Sequence, residues 1–130
     1  MKYAAPIISG TVCSYYIHYQ SPTIMFVKND DIKSETLEPG LSRKILARGG
    51  RMMLVEVTFR KGAVGYLHSH PHEQISYIQK GSFNVEIDGE KSVLRSGDSF
   101  YTAPGQEHGV VALEDSVIID VFTPQREDFL

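Results

Sequence analysis

Short runs in which apolar and polar residues alternate, or in which a few apolar residues follow one another, recur along the chain at 44–47, 52–59, 75–79, 82–87, 92–94, 99–102, 110–113 and 116–122. A period of two puts successive side chains on opposite faces of a strand. The breaks carry turn residues: Pro39-Gly40, Gly49-Gly50, Lys61-Gly62, Lys80-Gly81, Asp88-Gly89, Ser96-Gly97-Asp98 and Pro104-Gly105. Asp88-Gly89 between two β-rich runs reads as a two-residue hairpin turn. No segment sustains an apolar period of 3.6 residues. Many short strands at this spacing predict an all-β protein, either an antiparallel sandwich or a small barrel.

The patterned region opens at Met25-Phe26-Val27. Residues 1–24 are apolar and aromatic but lack the compact apolar core and small-residue cleavage site of a signal peptide. They read as an N-terminal arm or leader, with 25–130 forming a single barrel domain. An arm carrying Tyr15, Tyr16, Ile17 and Tyr19 suits strand addition to a neighbouring subunit, so a homodimer is expected. His18 stands alone there, and an isolated histidine is a poor candidate ligand. The length of 130 residues fits one domain. The net charge of -3 is mixed in sign without a basic stripe, which argues against nucleic acid or an anionic membrane surface as partner. Cys13 is the only cysteine, so no intrachain disulfide forms and a cytoplasmic setting is expected. No apolar run approaches the roughly 20 residues of a spanning helix.

Candidate chemistry concentrates in His68-Ser69-His70-Pro71-His72-Glu73-Gln74 and His108, which hold all but one of the 5 histidines. Strand alternation sends His68 and His70 to one side. Two neutral imidazoles side by side, with His108 arriving from a second strand, suit a first-row divalent cation. A hydrogen-bonded core trio is the plainer alternative. Gln74 is the fourth candidate ligand. A neutral amide where a carboxylate would serve iron and oxygen leaves the full charge of the cation on the site, which favours an anionic ligand and Lewis-acid chemistry. Pro71 interrupts the strand, so face parity does not carry across it, and Glu73 stays open as the rival ligand. His72 remains open as ligand, substrate contact or loop residue.

Asp120 is the second cluster of interest. Ile118, Asp120 and Phe122 share one face of a strand whose other face holds Ile119 and Val121. An acid between apolar neighbours faces a polar cavity or is paired. In a pocket its pKa rises and it can donate a proton; paired, for instance with Arg126, it is structural. Spacing alone does not choose. Arg126 either forks a substrate carboxylate or ties down the tail. Phe122 and Tyr77 are candidate pocket-lining residues, as is Tyr101. Arg43, Arg51 and Arg60 are further carboxylate candidates.

With spacings, the two halves read Gly62-x5-His68-x-His70-x3-Gln74-x6-Gly81 and Gly97-x5-Ala103-Pro104-Gly105-x2-His108. These resemble the two signature motifs of the cupin superfamily. Gln74 stands where most cupins have glutamate, Ala103 where they have proline, and Ala112 where asparagine is common. Ser42-Arg43-Lys44-Ile45-Leu46, Met53-Leu54-Val55-Glu56-Val57, His70-Pro71-His72-Glu73-Gln74-Ile75-Ser76-Tyr77 and the tail from Asp120-Val121-Phe122-Thr123-Pro124 to Leu130 are similar to one group, the pectin-degradation (KdgF-type) cupins, over about residues 25–130.

That resemblance implies a double-stranded β-helix (jelly-roll) barrel of two antiparallel sheets. It implies one divalent transition metal on His68, His70, Gln74 and His108, with nickel, zinc, iron, manganese and cobalt all suited to such donors. It also implies a catalytic acid at Asp120 and a small anionic sugar substrate: a 4,5-unsaturated monouronate from pectin or alginate, converted to its linear keto form. In that reading Arg126 steadies the anionic end of the sugar. The alternatives are a noncatalytic metal- or sugar-binding cupin and a cupin oxygenase or isomerase acting on another small molecule.

Overall fold

The computed structural model describes residues 25–130. The expectations placed on 1–24 (the arm or leader, Cys13, Tyr15, Tyr16, Ile17, His18 and Tyr19) lie outside the described residues. Period-two patterning becomes β1 (Glu35–Glu38), β2 (Leu41–Gly49), β3 (Met52–Phe59), β4 (Val64–His68), β5 (Glu73–Lys80), β6 (Ser82–Ile87), β7 (Glu90–Arg95), β8 (Ser99–Thr102), β9 (His108–Ala112) and β10 (Ser116–Thr123). All pairings are antiparallel and form a six-stranded sheet, β1-β2-β3-β10-β5-β8, and a four-stranded sheet, β4-β9-β6-β7. The all-β cupin expectation holds. No helix of the described residues is long and apolar enough to cross a membrane.

The inward residues of both sheets meet in a core of Phe59, Ile78, Phe83, Val85, Ala112 and Ile118. Phe59 and Phe83 pack edge to face with ring centroids 5.0 Å apart, a geometry worth about 1 kcal/mol beyond its burial. Met53, Val55 and Phe122 form a second buried cluster, against which Ile45, Val57 and Phe129 pack. Strand β10 runs between β3 and β5, so its inward residues Ile118, Asp120 and Phe122 project into the space between the sheets.

Two local devices aim the site. Asp88 and Gly89 both have positive φ, 47° and 83°, as a type I′ turn requires. The Asp88 carboxylate also accepts from Gln106 Nε2 at 2.8 Å and from the Glu107 backbone N–H at 3.2 Å. The β6–β7 hairpin therefore holds the segment that delivers His108. On the other side, the β4–β9 register shifts between Gly65 and His68. There the β4 backbone presses on Gly109, where a Cβ would lie 2.8 Å from the Gly65 carbonyl oxygen and 3.0 Å from the Leu67 nitrogen. Only glycine allows that approach, and the irregularity turns His68 towards His108.

Candidate metal centre

His68 ends β4 and His108 begins β9, and the two are direct cross-strand partners. Strand alternation was expected to align His68 with His70 as well. Instead β4 stops at His68, and His70 belongs to the turn 69–72 before Pro71 and β5. The turn still folds His70 inward: the His68 and His70 ring centroids lie 5.5 Å apart, and those of His70 and His108 lie 4.9 Å apart. Each of the three histidines offers one nitrogen, and these atoms lie within 4.8 Å of one another. His70 and His108 are buried and His68 is exposed, so the cluster opens to solvent on the His68 side.

Parity in β5 separates the two rival ligands. Gln74 faces inward and is buried, whereas Glu73 is exposed on the outer face and accepts the Tyr101 hydroxyl at 2.8 Å. Gln74 Oε1 lies 2.9 Å from His70 Nε2 and 3.2 Å from His108 Nε2. The same parity corrects the expectation for Tyr77, which is on the outer face at 47% exposure and does not line the pocket; Tyr101 also points outward. His72 sits behind His70 and supports it through its backbone, whose carbonyl accepts from His70 Nδ1 at 3.1 Å.

The donor set fits a cation. The Nδ1 atoms of His68 and His108 lie 2.8 Å from the carbonyl oxygens of Tyr66 and Gln106 respectively. A carbonyl only accepts, so hydrogen-bond partnership assigns the ring proton to Nδ1 in all three histidines. Each Nε2 then presents a lone pair, and those of His70 and His108 face Gln74 Oε1, itself an acceptor. Such a cluster is repulsive on its own and is satisfied by a metal ion, with the carbonyls orienting the rings from behind.

Behind Gln74 lies a relay that sequence reading passed over. Gln74 Nε2 donates to Ser76 Oγ at 2.9 Å and to Asp120 Oδ1 at 3.2 Å, and Ser76 Oγ donates to Asp120 Oδ1 at 2.6 Å. Asp120 is thus bound to Gln74 and Ser76 and not to Arg126. Arg126 forks Asp128 through Nε and Nη2 at 2.9 and 2.8 Å, which holds the Asp128 carboxyl below its ordinary range. Its guanidinium carbon lies 5.1 Å from the Phe122 ring centroid and 4.2 Å from that of Phe129, with Arg43 on Phe129 at 3.9 Å. Arg126 therefore does tie down the tail, yet it stays next to Phe122, whose ring packs on His70 with centroids 5.7 Å apart. Arg51 and Arg60 are exposed, and Arg43 pairs with Glu35.

Burial sets the titration of the inward groups. It pushes the Asp120 carboxyl up to about 6 against the pull of Ser76 and Gln74, lowers His108 to about 4, and lowers His70. In the metal-free protein the unfolded chain binds protons to these imidazoles below about 6.5 while the folded chain resists, so they cost stability as pH falls towards 4. Asp120 acts oppositely between about 6 and 3.8, where the folded chain keeps a proton that the unfolded chain releases. Replacing Asp120 with asparagine removes the opposing contribution. Urea unfolding of the metal-free variant should therefore show a steeper loss of stability below pH 6 than the unaltered protein, and parallel curves would contradict these assignments.

The sequence profile described as Cupin domain matches residues 55–122, a span that includes all four convergent side chains. The chain is 46% identical over 104 residues to the pectin degradation protein KdgF of Dickeya dadantii (strain 3937), covering 78% of this chain and 94% of that protein. Among solved structures, KdgF from Halomonas sp. superposes with a TM-score of 0.78 at 46% identity, covering 81% of this chain and 97% of that one. An RmlC-like cupin from Shewanella frigidimarina gives a TM-score of 0.79 at 40% identity, covering 82% and 96%. The profile match and the identity across nearly the whole Dickeya protein agree with the barrel and its histidine cluster: the chain belongs to the cupin domain family.

Proposed function

We propose that the protein is a metal-dependent enzyme that opens 4,5-unsaturated monouronates, the sugar acids released from pectin or alginate, to their linear keto forms. The observation that carries this reading is a neutral donor set with an acid directly behind it: His68, His70, His108 and Gln74 bring no negative charge, and Asp120 accepts a hydrogen bond from Gln74. The 46% identity to a pectin degradation protein supports the substrate class. A divalent ion held by these four residues, whether nickel, zinc, iron, manganese or cobalt, supplies positive charge that favours a carboxylate ligand and polarises the sugar.

The reaction is an isomerisation. Carbon 4 of the ring enol ether takes up a proton, the bond between the anomeric carbon and the ring oxygen breaks to leave a ketone at carbon 5, and the anomeric hydroxyl releases its proton as the aldehyde forms. Asp120 delivers the proton to carbon 4 in its acid form and recovers one from the anomeric hydroxyl. Both of its internal donors meet Oδ1, which leaves Oδ2 for the substrate. Arg126 commits two N–H groups to Asp128 and has others with which to take the anionic end of the sugar. Phe122 forms an apolar floor between Arg126 and His70.

A cytoplasmic setting and a homodimer belong to the same reading. The single cysteine supports the first, and the exposed outer-face neighbours Ile75, Tyr77 and Tyr101 support the second. The test is the ultraviolet absorbance of an unsaturated monouronate mixed with metal-loaded protein. Loss of the double-bond absorbance should outrun the spontaneous rate and should return to it with His68→Ala. No acceleration with any of the five metals would sink the uronate assignment.

A further inference from the structure

We infer that Ser76 is a positioning residue that decides which end of the Gln74 amide faces the histidines. The two ends of a carboxamide are nearly the same size, so packing alone does not orient it, yet only the oxygen can serve a cation. The choice is made by the polarity of the hydrogen bonds behind it. The Asp120 carboxylate only accepts, so the Ser76 hydroxyl turns its proton to Oδ1, at 2.6 Å. What Ser76 then offers Gln74 is a lone pair, which can be met only by an N–H, at 2.9 Å. The second N–H of the same nitrogen reaches Asp120 Oδ1 at 3.2 Å. The amide oxygen is left facing His70 and His108.

Reversing the amide would set its oxygen against the Ser76 lone pair and the Asp120 carboxylate, two contacts between acceptors, and would turn an NH2 group towards the cation. Water cannot relieve this, because Ser76 is 0% exposed. The arrangement follows from local structure. Gln74 and Ser76 share the inward face of β5, and Ser76 is the direct cross-strand partner of Asp120 on β10. Asp120 thereby has a part in holding the ligand set that is separate from any proton it transfers.

The inference rests on Gln74 being a metal ligand, and a double-mutant cycle separates the two ideas. Cobalt(II) affinity of the metal-free protein would be measured by chelator competition for the unaltered chain, Gln74→Ala, Ser76→Ala and the double variant. Ser76→Ala should weaken cobalt binding by about 10- to 100-fold, the usual cost of losing a group that orients a ligand. In the Gln74→Ala background the same change should have no effect, since no amide remains to orient. Ser76→Thr, which keeps the hydroxyl, should restore binding. An equal loss in both backgrounds would make Ser76 merely structural and overturn the inference. Unaltered affinity in Gln74→Ala would instead remove Gln74 from the ligand set, and the inference with it. A measurement on the unaltered protein covers variants that do not fold: the side-chain NH2 signals of Gln74 in nuclear magnetic resonance should exchange slowly with solvent, both before and after zinc is added. Exchange at the rate of a free amide would overturn the assignment.

Discussion

Replacing His108 with alanine is expected to strip the protein of tightly bound metal and bring turnover down to the spontaneous rate. Four neutral donors converge from four points of the chain, and His108 lies against all of the other three: its Nε2 is 3.2 Å from Gln74 Oε1, and its ring centroid is 4.4 Å from that of His68 and 4.9 Å from that of His70. The carboxylate beside the cluster, Asp120, is held by Ser76 and Gln74 and so is not free to take the place of His108. Loss of a direct ligand should exceed the ~100-fold upper range seen when only an orienting partner is lost. Metal content after dialysis, together with chelator competition, would measure this. The fold should survive, since the packed cluster around Phe59, Ile78 and Phe83 contains none of the histidines. A His108→Ala protein that retains one equivalent of metal would remove this residue from the centre. The smaller loss of metal affinity should come from His68→Ala, because that ring is exposed and its loss leaves two buried imidazoles in place, although turnover should fall to the spontaneous rate in both variants.

The histidines were legible in the sequence because their chemistry is rare and their spacing tight, and Asp120 because an acid in an apolar alternating strand has to be explained. Other parts were hidden for physical reasons. Strand β1 has the sequence Glu-Thr-Leu-Glu with every residue exposed, so no buried face marks it. Strand β4 lacks a clear apolar face because Gly65 contributes no side chain and Tyr66, Leu67 and His68 are all exposed. Parity was the main difficulty after Pro71. Strand β5 begins only at Glu73, and one step of phase decides whether Gln74 and Ser76 or Glu73, Ile75 and Tyr77 face the barrel. The aromatic weight of Tyr77 suggested a pocket wall, whereas the small Ser76 is the inward residue. Its signal was available: two places after a candidate ligand in a strand lies on the same face. The role of Arg126 was undecidable from sequence because its partner, Asp128, sits outside any strand, in the short 3₁₀ turn Glu127–Phe129.

Asp120→Asn should lower turnover by about 100- to 10,000-fold, the range contributed by a positioned acid or base, while leaving metal content unchanged. The second half of that expectation comes from the relay. Asparagine keeps an Oδ1 that can accept from Ser76 Oγ and Gln74 Nε2, so the Gln74 amide stays oriented; what is lost is the ionisable proton. Asp120→Ala removes that acceptor as well and should lose both turnover and metal affinity. Comparing the two separates proton transfer from ligand positioning. The pH profile carries a matching signature. Burial raises the Asp120 carboxyl to about 6 in the metal-free barrel, and a bound cation favours the carboxylate, so the working inflection should fall at or below that value. If Asp120 acts as the acid, the turnover of the unaltered protein falls as pH rises through the inflection, and the residual rate of the asparagine variant is flat there. An asparagine variant with full metal content and undiminished turnover would take the proton-transfer role away from Asp120 and leave it only its part in holding Gln74.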